Sequence, residues 1–220
     1  MTQTIWAVVP IKDFAYAKQR LSGLLAPAQR QELARTMATA VLAALADVPQ
    51  LAGIAVVTVN ADAAALAQRF GARVITEGAE DGHTGAVDGA RRVLTAEGQA
   101  GILTMPGDIP LVTPEEVRAV LAATQPAPAF TIVPAHDELG SNAVLCAPPL
   151  SVRLRFGEDS YFPHLEAARA AGITPSIVPL PGIGMDIDHP ADLLRFLGMA
   201  QSAGTPTAAL LRSWGIGAGR

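Results

Sequence analysis

The sequence predicts an α/β fold in which helices cover both faces of one largely parallel sheet. Short β-branched runs alternate with alanine-rich stretches along the 220 residues, and this alternation is typical of βαβ units. The composition is 50% hydrophobic and 16% charged, which supplies enough apolar material for one large core. We expect a single domain over residues 1–198 and a loosely ordered tail over residues 199–220, where Gly, Ser, Ala and Thr dominate.

Four strands, each followed by a helix, are predicted in the first half of the chain. The expected strands are Thr4–Val9, Ile54–Val59, Arg73–Thr76 and Gly101–Met105. Pro27 starts a long first helix, and apolar residues at every fourth position mark its buried face, at Leu33, Met37, Val41 and Leu45. Asn60 and Thr113 are side-chain caps for two later helices. Between them, EGAEDGHTGAVDGA is a Gly-rich loop that runs into a helix ending before Gly98.

The second half is predicted to add an antiparallel pair of strands. Phe130–Pro134 and Asn142–Cys146 are short apolar runs joined by HDELGS, a spacing that suits antiparallel neighbours. Two further helices are expected over Tyr161–Ala171 and Pro190–Leu197. The predicted sheet is therefore mixed, with most strands parallel.

The charges and the one cysteine exclude several classes of protein. There are 16 Lys and Arg residues against 20 Asp and Glu, a formal charge of −4, and no long basic run, so we do not expect a nucleic-acid binder. No apolar stretch reaches the roughly 18 residues of a membrane span, and the start lacks the features of a signal peptide. Cys146 cannot form an internal disulfide. We expect a protein of the reducing cytoplasm without membrane attachment, and the sequence leaves open whether it is a homodimer.

Both lysines of the chain lie in the loop directly after the first strand. Lys12 and Lys18 are followed by Arg20, and no other lysine occurs. Ligands of parallel α/β sheets bind at the carboxyl ends of the strands, so this cluster is expected to hold an anion. Ammonium groups supply point charge and suit a polyphosphate. Ordinary solvated charge is the alternative interpretation.

Three aspartates are candidates for binding a metal ion. Asp108 follows an apolar strand in MPGDIPL, and Asp186 and Asp188 lie two residues apart in GMDIDHP. Alternate residues of an extended segment face the same side, which places both carboxylates against one cation. Magnesium takes one or two carboxylates and completes its shell with water and phosphate oxygens. The alternatives are a turn aspartate at Asp108, and capping of the last helix by Asp188 or His189.

Two Gly- and Ser-containing turns are candidates for a second, smaller anion. GSNA at Gly140–Ala143 and RFGEDS at Arg155–Ser160 present amides and hydroxyls, and Arg153 adds charge nearby. Plain turn chemistry explains these residues equally well. The histidines share no metal-ligand spacing and are interpreted as surface or core residues, namely His83, His136, His164 and His189.

Known phosphate-binding motifs are missing from the sequence, yet five of its segments resemble one family. There is no GxxxxGK[ST] loop and no GxGxxG fingerprint after the first strand. The ordered segments VVPIKDFAYAKQRL, TMPGDIPLVT, GSNAVLCAPP, RFGEDSYFPHLEAA and MDIDHPADL resemble the 2-phospho-L-lactate guanylyltransferase family. That family includes relatives acting on phosphoenolpyruvate or 3-phospho-D-glycerate in the biosynthesis of a deazaflavin redox coenzyme. The resemblance covers about residues 5–197.

The resemblance implies a fold and a set of ligands. The fold is the nucleotidyltransferase fold related to glycosyltransferases, a three-layer α/β/α sandwich with a mixed, mostly parallel sheet. The ligands are GTP, a small phosphorylated carboxylic acid and Mg²⁺. Gly82-His83-Thr84 stands where the family often has Gly-Leu-Asn.

The resemblance also implies roles for individual residues. The catalytic residues are Lys12, Lys18, Arg20 and Asp108. The metal ligands are Asp108, Asp186 and Asp188. The nucleotide contacts are Pro10, Lys12, Lys18, Gly82 and Thr84. The contacts to the phosphorylated acid are Ser141, Gly157, Ser160 and Arg155.

Two alternatives stay open at this point. The first is a nucleotidyltransferase with another acceptor, of molybdopterin or sugar-phosphate type, although such enzymes carry a Gly-rich loop after the first strand and IKDFAYAKQRL has no glycine. The second is a catalytically silent nucleotide-binding module, against which the three carboxylates argue.

Overall fold

The computed structural model describes residues 4–157 and 159–217, in which seven strands form one sheet. The strands are β1 Ile5–Pro10, β2 Gly53–Val57, β3 Arg73–Ile75, β4 Gly101–Thr104, β5 Ala129–Pro134, β6 Ser141–Ala147 and β7 Ser176–Ile177. The α-helices are α1 Pro27–Ala46, α2 Ala61–Arg69, α3 Gly82–Ala96, α4 Pro114–Ala123, α5 Tyr161–Ala170, α6 Pro190–Gly198 and α7 Pro206–Ser213. The predicted strands and helices are found within a few residues of their expected bounds.

The sheet is mixed and mostly parallel, as predicted. Its strand order is β3-β2-β1-β4-β6-β5-β7. Strand β6 runs antiparallel to both β4 and β5, whereas the other pairs are parallel. The carboxyl ends of β1 and β4, neighbours in the sheet, therefore lie at one edge with the amino end of β6 beside them. This arrangement brings the predicted lysine loop, the Asp108 turn and the Ser141 turn to a common edge.

Helices cover both faces of the sheet because its strands alternate their buried side chains. In β1, Ala7 and Val9 pack into the core shared with α1, α2 and α4, whereas Val8 packs into the core shared with α3 and α5. The three layers of the predicted α/β/α sandwich are thereby confirmed. No helix among the described residues is both long and apolar enough to cross a membrane.

The helix signals in the sequence are confirmed in detail. The four apolar residues spaced along α1 are all buried, at Leu33, Met37, Val41 and Leu45. The side chain of Asn60 accepts a hydrogen bond from the Ala63 amide at the start of α2. Thr113 accepts one from the Glu116 amide at the start of α4.

Glycines allow the loop before α3 to lie directly against that helix. Gly78 has φ +74°, a left-handed backbone, and a Cβ atom there would lie 2.2 Å from the Gly85 carbonyl oxygen. A Cβ atom on Gly89 would lie 2.0 Å from the carbonyl oxygen of Glu77. The close approach places the start of α3, with Gly82 and His83, beside the lysine loop.

The chain after Gly198 differs from the loose tail predicted for residues 199–220. Residues 200–202 form a short 3-10 helix and α7 follows, with Ala208 and Leu211 fully buried. They pack in one cluster with Leu33 and Met37 of α1. Residues 199–217 are therefore ordered rather than loose, because the Thr205 cap, the proline at the start of α7 and the LLRSW run together build an amphipathic helix. The last three residues of the predicted tail, 218–220, lie outside the described residues. The two-residue edge strand β7 was also not predicted, since its sequence carries no alternation.

Candidate active site

The loop after β1 positions Lys18 through two short 3-10 turns, at Phe14–Tyr16 and Gln19–Leu21. Between these turns, Lys18 has φ +53° and ψ +42°, a left-handed conformation. This conformation costs a residue with a Cβ atom about 1–2 kcal/mol. Such strain persists where the surrounding structure fixes it, and it is concentrated at functional sites.

The Lys18 ammonium lies between two carboxylates. Its Nζ donates to Asp108 Oδ2 at 2.5 Å and to Asp188 Oδ1 at 2.7 Å, and the lysine side chain is only 7% exposed. Burial alone would lower the pKa of Lys18, but the charges and hydrogen bonds of Asp108 and Asp188 outweigh it and raise that pKa. Burial would raise the pKa of Asp188, and Lys18 reverses this and lowers it. The two shifts favour the charged forms of Lys18 and Asp188.

Asp186 bonds to Asn142 rather than to Lys18. Its Oδ1 accepts a hydrogen bond from Asn142 Nδ2 at 2.9 Å and lies 3.7 Å from His136 Nδ1. Burial, followed by the charges of Asp108 and Asp188, raises the pKa of Asp186 despite the Asn142 hydrogen bond. Among residues 4–157 and 159–217, no three His, Cys, Asp or Glu side chains come close enough together to hold a metal ion. The structure therefore separates the predicted metal ligands, with Lys18 between two of them and Asn142 on the third.

Arg20, the third predicted cation, lies at the outer side of the cluster. Its Nη1 lies 3.2 Å from His189 Nε2 and 3.9 Å from Asp188 Oδ2. The guanidinium is about half exposed. It therefore adds positive charge beside Asp188 at the mouth of the site.

Glu116 on α4 anchors the segment that carries the two aspartates of GMDIDHP. Its carboxylate accepts hydrogen bonds from the Gly182 and Ile183 amides at 2.8 and 2.9 Å. Asn142 Nδ2 also donates to the Ile183 carbonyl at 3.0 Å. The Ile187 amide donates to the Asp108 carbonyl at 3.2 Å. The carboxylates of two distant loops are therefore held side by side by backbone contacts.

At the start of α6, His189 is the N-cap residue and the Asp192 side chain bonds back to the backbone before the helix. Asp192 Oδ2 accepts from the Asp188 amide at 2.9 Å and from the His189 amide at 2.7 Å. Because Asp192 bonds to the Asp188 backbone, the Asp188 carboxylate remains available to Lys18. His189 is thus the N-cap residue of α6, as the capping alternative allowed, whereas Asp188 lies before the cap and its carboxylate pairs with Lys18.

The two serine turns meet at a buried histidine. Ser141 Oγ lies 2.9 Å from His164 Nδ1 on α5, and the Ser160 hydroxyl donates to Ser141 Oγ at 3.3 Å. The Ser141 amide in turn donates to Ser160 Oγ at 3.1 Å. His164 is 1% exposed, and its other nitrogen accepts from the Arg155 amide at 3.0 Å. The predicted pair of serines is thus one connected polar network.

Two cavities adjoin these groups. The larger, about 910 Å³, is lined by both serines, Gly157 and Asp186, and the smaller, about 540 Å³, by Pro10 and Gly82. Arg20 lines the larger cavity only. The residues that line both cavities are Lys12, Tyr16, Lys18, His83, Pro106, Asp108 and Asp188. The lysine cluster is therefore the junction of the two cavities, and we call these seven residues the junction.

Two predicted contact residues lie outside both cavities. The Thr84 hydroxyl accepts a hydrogen bond from the Phe156 amide at 3.0 Å and donates to the Phe156 carbonyl at 3.4 Å. The Arg155 side chain is exposed, as is that of Arg153, and Arg155 takes part in the network through its backbone amide. Thr84 therefore ties the start of α3 to Phe156 instead of lining a cavity, and Arg155 contributes its backbone amide to the network.

Three polar residues of this site were not identified from the sequence. Glu116, Asn142 and His164 each bond to a group far away along the chain. A signal did exist for His164, since it follows Ser160 by four residues, the spacing of one helical face. The other two carry no local pattern.

Solved structures define the class of protein to which this fold belongs. A protein from Desulfovibrio desulfuricans G20, described as a nucleotide-diphospho-sugar transferase, matches 97% of this chain with a TM-score of 0.76 at 22% identity, over 95% of its own length. A nucleotidyl transferase from Methanothermobacter thermautotroptrophicus matches 96% of this chain and 99% of its own, with a TM-score of 0.58 at 18% identity. Glucosyl-3-phosphoglycerate synthase from Mycobacterium tuberculosis, solved with Mn²⁺ and UDP, matches 97% of this chain and 81% of its own, with a TM-score of 0.57 at 16% identity. The nucleotidyltransferase fold is confirmed.

The chain belongs to the family described as "Guanylyl transferase CofC like", whose pattern matches residues 5–218. The phosphoenolpyruvate guanylyltransferase of Rubrobacter xylanophilus is 34% identical over 195 residues, 87% of this chain and 93% of the relative. The phosphoenolpyruvate guanylyltransferase of Nocardia farcinica is 33% identical over 96% of this chain and 92% of its own. The 3-phospho-D-glycerate guanylyltransferase of Colwellia psychrerythraea is 32% identical over 84% of this chain and 88% of its own. The predicted family and the predicted transferase activity are confirmed.

Proposed function

We propose that this protein transfers GMP from GTP to the phosphate of phosphoenolpyruvate and releases pyrophosphate. The observation that carries the proposal is the meeting of two cavities at one charged junction, where Lys18 pairs with Asp108 and Asp188. Two substrates that react with each other need neighbouring sites and charge neutralisation where they meet. The relatives from Rubrobacter and Nocardia are named for phosphoenolpyruvate, which favours it over 3-phospho-D-glycerate and 2-phospho-L-lactate.

We assign the nucleotide to the smaller cavity. Its lining includes the apolar residues Ile11, Ala38 and Val57 together with Lys12 and Lys18. Apolar walls suit the flat base of a nucleotide, and the lysines at the junction suit its triphosphate. The phosphorylated acid then occupies the larger cavity, which Ser141, Gly157 and Ser160 line. Ser141 and Gly157 supply a hydroxyl and an amide, and Ser160 supports Ser141 through a hydrogen bond.

The reaction needs positioning and charge neutralisation more than acid or base catalysis. An oxygen of the acceptor phosphate attacks the α-phosphorus of GTP, and the bond from that phosphorus to the bridging oxygen of the β-phosphate breaks. The electron pair leaves with pyrophosphate. A phosphate monoester has its second pKa at about 6 and is largely ionised near neutral pH. No proton has to be removed from the nucleophile, which suits a junction of cations and carboxylates.

Lys18 has one hydrogen-bond donor to offer the substrates. A lysine ammonium carries three N–H groups, and Asp108 and Asp188 each accept one. Lys18 lines both cavities, so we assign the remaining N–H to a phosphate oxygen of the nucleotide at their junction. Lys12 and Arg20 add positive charge on either side, which supports their role in neutralising phosphates.

We also propose that a divalent cation, Mg²⁺, binds in the larger cavity together with the phosphorylated substrates, because no three carboxylates of the described residues are close enough together to hold it on their own. Six aspartates line the larger cavity, namely Asp108, Asp137, Asp159, Asp186, Asp188 and Asp192. Adding two phosphorylated substrates to this cavity requires positive charge beyond that of Lys12, Lys18 and Arg20. Asp108 Oδ1 is buried without a hydrogen-bond partner among the described residues. Asp108, Asp186 and Asp188 would hold the ion, which when bound supplies positive charge to phosphate oxygens.

The test is product formation with purified protein. GTP and MgCl₂ are incubated with phosphoenolpyruvate, 3-phospho-D-glycerate or 2-phospho-L-lactate, while pyrophosphate release is followed and the guanylylated product is identified by mass spectrometry. Phosphoenolpyruvate is expected to give the highest kcat/KM, GTP to exceed ATP and CTP, and EDTA to abolish turnover. The single buried cysteine suits a cytoplasmic enzyme, so the assay is run under reducing conditions.

Unphosphorylated lactate and a sugar 1-phosphate serve as the control acceptors. Neither is expected to react, because lactate lacks the attacking phosphate and a hexose exceeds the small acid for which the serine turns are proposed. Turnover with lactate would contradict attack by a phosphate oxygen. Preferential turnover with the sugar phosphate would instead identify a sugar-phosphate nucleotidylyltransferase.

A further inference from the structure

His164 is fully buried behind the serine end of the larger cavity. Its side chain is 1% exposed and joins Ser141 on β6 to the amide of Arg155 in the turn before α5. It does not line either cavity. His164 therefore acts on a ligand only through the groups to which it bonds.

The hydrogen bond to Arg155 fixes the tautomer of the His164 ring. A backbone N–H can only donate, so His164 Nε2, 3.0 Å from the Arg155 nitrogen, carries no proton. The ring is then neutral with its proton on Nδ1. Burial, with the charges of Arg91 and His83, lowers the pKa of His164 to about 4, which agrees with a neutral ring.

The tautomer in turn fixes the direction of the hydrogen bonds at Ser141. His164 Nδ1 donates to Ser141 Oγ at 2.9 Å, and the Ser160 hydroxyl donates to the same oxygen at 3.3 Å. A hydroxyl oxygen has two lone pairs, and both are then used. The proton of Ser141 remains as its one available group, and Ser141 lines the larger cavity.

We infer that His164 is a positioning residue that holds the Ser141 hydroxyl as a hydrogen-bond donor toward the anionic acceptor in the larger cavity. This inference rests on the proposed function for the identity of the acceptor. Without the imidazole, the Ser141 hydroxyl is free to rotate and to donate its hydrogen bond to a protein group instead of to the ligand. The ring edge also packs on Phe156 at 5.0 Å between centroids, so the same residue supports the turn that carries Gly157.

Two amide substitutions separate the two hydrogen bonds of the ring. In His164→Asn, the amide nitrogen takes the place of Nδ1, so it keeps the donor to Ser141 and loses the acceptor for Arg155. In His164→Gln, the amide group reaches the place of Nε2, so it keeps the acceptor and loses the donor. The two variants are similar in polarity and differ in which partner they satisfy.

The KM for phosphoenolpyruvate is expected to rise roughly tenfold in His164→Gln, the scale of one hydrogen bond to an anion, and less than about threefold in His164→Asn. The KM for GTP is expected to stay unchanged in both variants. A double-mutant cycle adds Ser141→Ala, in which His164→Gln is expected to cause no further loss. Equal losses in Asn and Gln, or a Gln effect that persists in Ser141→Ala, would overturn the inference in favour of a structural role.

Equilibrium binding keeps this test separate from the proposed function. The dissociation constant of phosphoenolpyruvate is measured by calorimetry with GTP omitted, and the same order, wild type and His164→Asn tighter than His164→Gln, is expected. If the three proteins bind the acid in this order but the wild type forms no product, the result contradicts the proposed function and supports the positioning role. No binding by the wild-type protein would overturn both.

Discussion

At the junction of the cavities, Lys18 holds Asp108 and Asp188 by ionic hydrogen bonds. At the serine end, by contrast, a neutral histidine bonds to Ser141, which in turn bonds to Ser160. The ion pairs involve carboxylates that are 25% and 43% exposed. The serines and His164 are all below 10% exposed. One end of the site is thus charged and partly solvated, and the other is neutral and closed.

This difference separates two ways of preparing a site for an anion. Charged groups attract a phosphate strongly, but their partners change when the ligands arrive, because the carboxylates paired with Lys18 are also the proposed ligands of Mg²⁺. A neutral buried network is ordered before the ligand binds and offers its donor without rearrangement. We therefore expect the junction to control turnover and nucleotide binding, and the serine end to control the acceptor.

The largest effect is expected at the junction. Asp188→Asn should reduce kcat about a hundred- to a thousandfold, the loss that follows removal of one preorganised electrostatic group, without unfolding the protein. Steady-state kinetics and thermal unfolding of the variant measure both quantities. Asp62→Asn, which breaks only an exposed pair with Arg35, is the control. An Asp188→Asn enzyme with unchanged turnover and metal dependence would remove Asp188 from the active site.

The next largest effect is the pH dependence of stability that His164 causes at the serine end of the site. Burial, with the charges of Arg91 and His83, holds the pKa of His164 at about 4, below its ordinary value of about 6.5. A lowered pKa means that the unfolded state binds the proton first. The contribution of neutral His164 to the free energy of unfolding is therefore fully present above about pH 6.5. It is lost as the pH falls toward 4, by roughly 3 kcal/mol in total.

Urea unfolding of the wild type and His164→Asn between pH 7 and pH 4 isolates this contribution. The difference in the free energy of unfolding between the two proteins should shift in favour of the variant as the pH falls, because asparagine does not titrate. A difference that stays constant over this range would show that His164 is not held neutral by the fold.

The third prediction concerns nucleotide binding at the charged end. Lys18→Ala should raise the KM for GTP by about ten- to a hundredfold, the scale of a charge-assisted hydrogen bond, and leave the KM for the phosphorylated acid nearly unchanged. Arg118→Ala, which removes an exposed cation paired with Glu115, controls for net charge. If only the constant for the acid changes, the two cavities have been assigned to the wrong substrates.

The smallest effect is expected at the serine end. Ser160→Val should raise the KM for the phosphorylated acid by roughly tenfold, because valine removes the hydroxyl that bonds to Ser141 in the cavity wall. The KM for GTP should stay unchanged. Ser151→Val, at a hydroxyl outside both cavities, provides the matched control. Equal changes in both constants would show that the two ends of the site are coupled rather than separate.

Several features of the fold and the site are set by local patterns that the sequence displays. The spacing of Leu33, Met37, Val41 and Leu45 predicts the buried face of α1 because one face of a helix repeats every three to four residues. The order of strands and helices predicts that the loop of Lys18 and the turn of Asp108 share an edge of the sheet, because parallel strands end at the same edge. The charged residues of the junction were therefore within reach of sequence reasoning, whereas Tyr16, His83 and Pro106 were not assigned to it.

Other features depend on contacts that no local pattern records. A left-handed backbone at Lys18, which is rare in a residue with a Cβ atom, decides that its ammonium lies between Asp108 and Asp188. The packing of α7 on α1 was not predicted, because α7 lies in a segment dominated by small residues.

What the sequence by itself determined is the set of elements, their periodicity and the chemistry available at the edge of the sheet. The tertiary structure decided which of those groups meet: Lys18 with two of three aspartates, Asp186 with Asn142, and His164 with Ser141 from 23 residues away. The physical reason is that helix and strand periods are local properties of the backbone, whereas hydrogen-bond partners depend on loop conformation and on which buried polar groups remain unsatisfied.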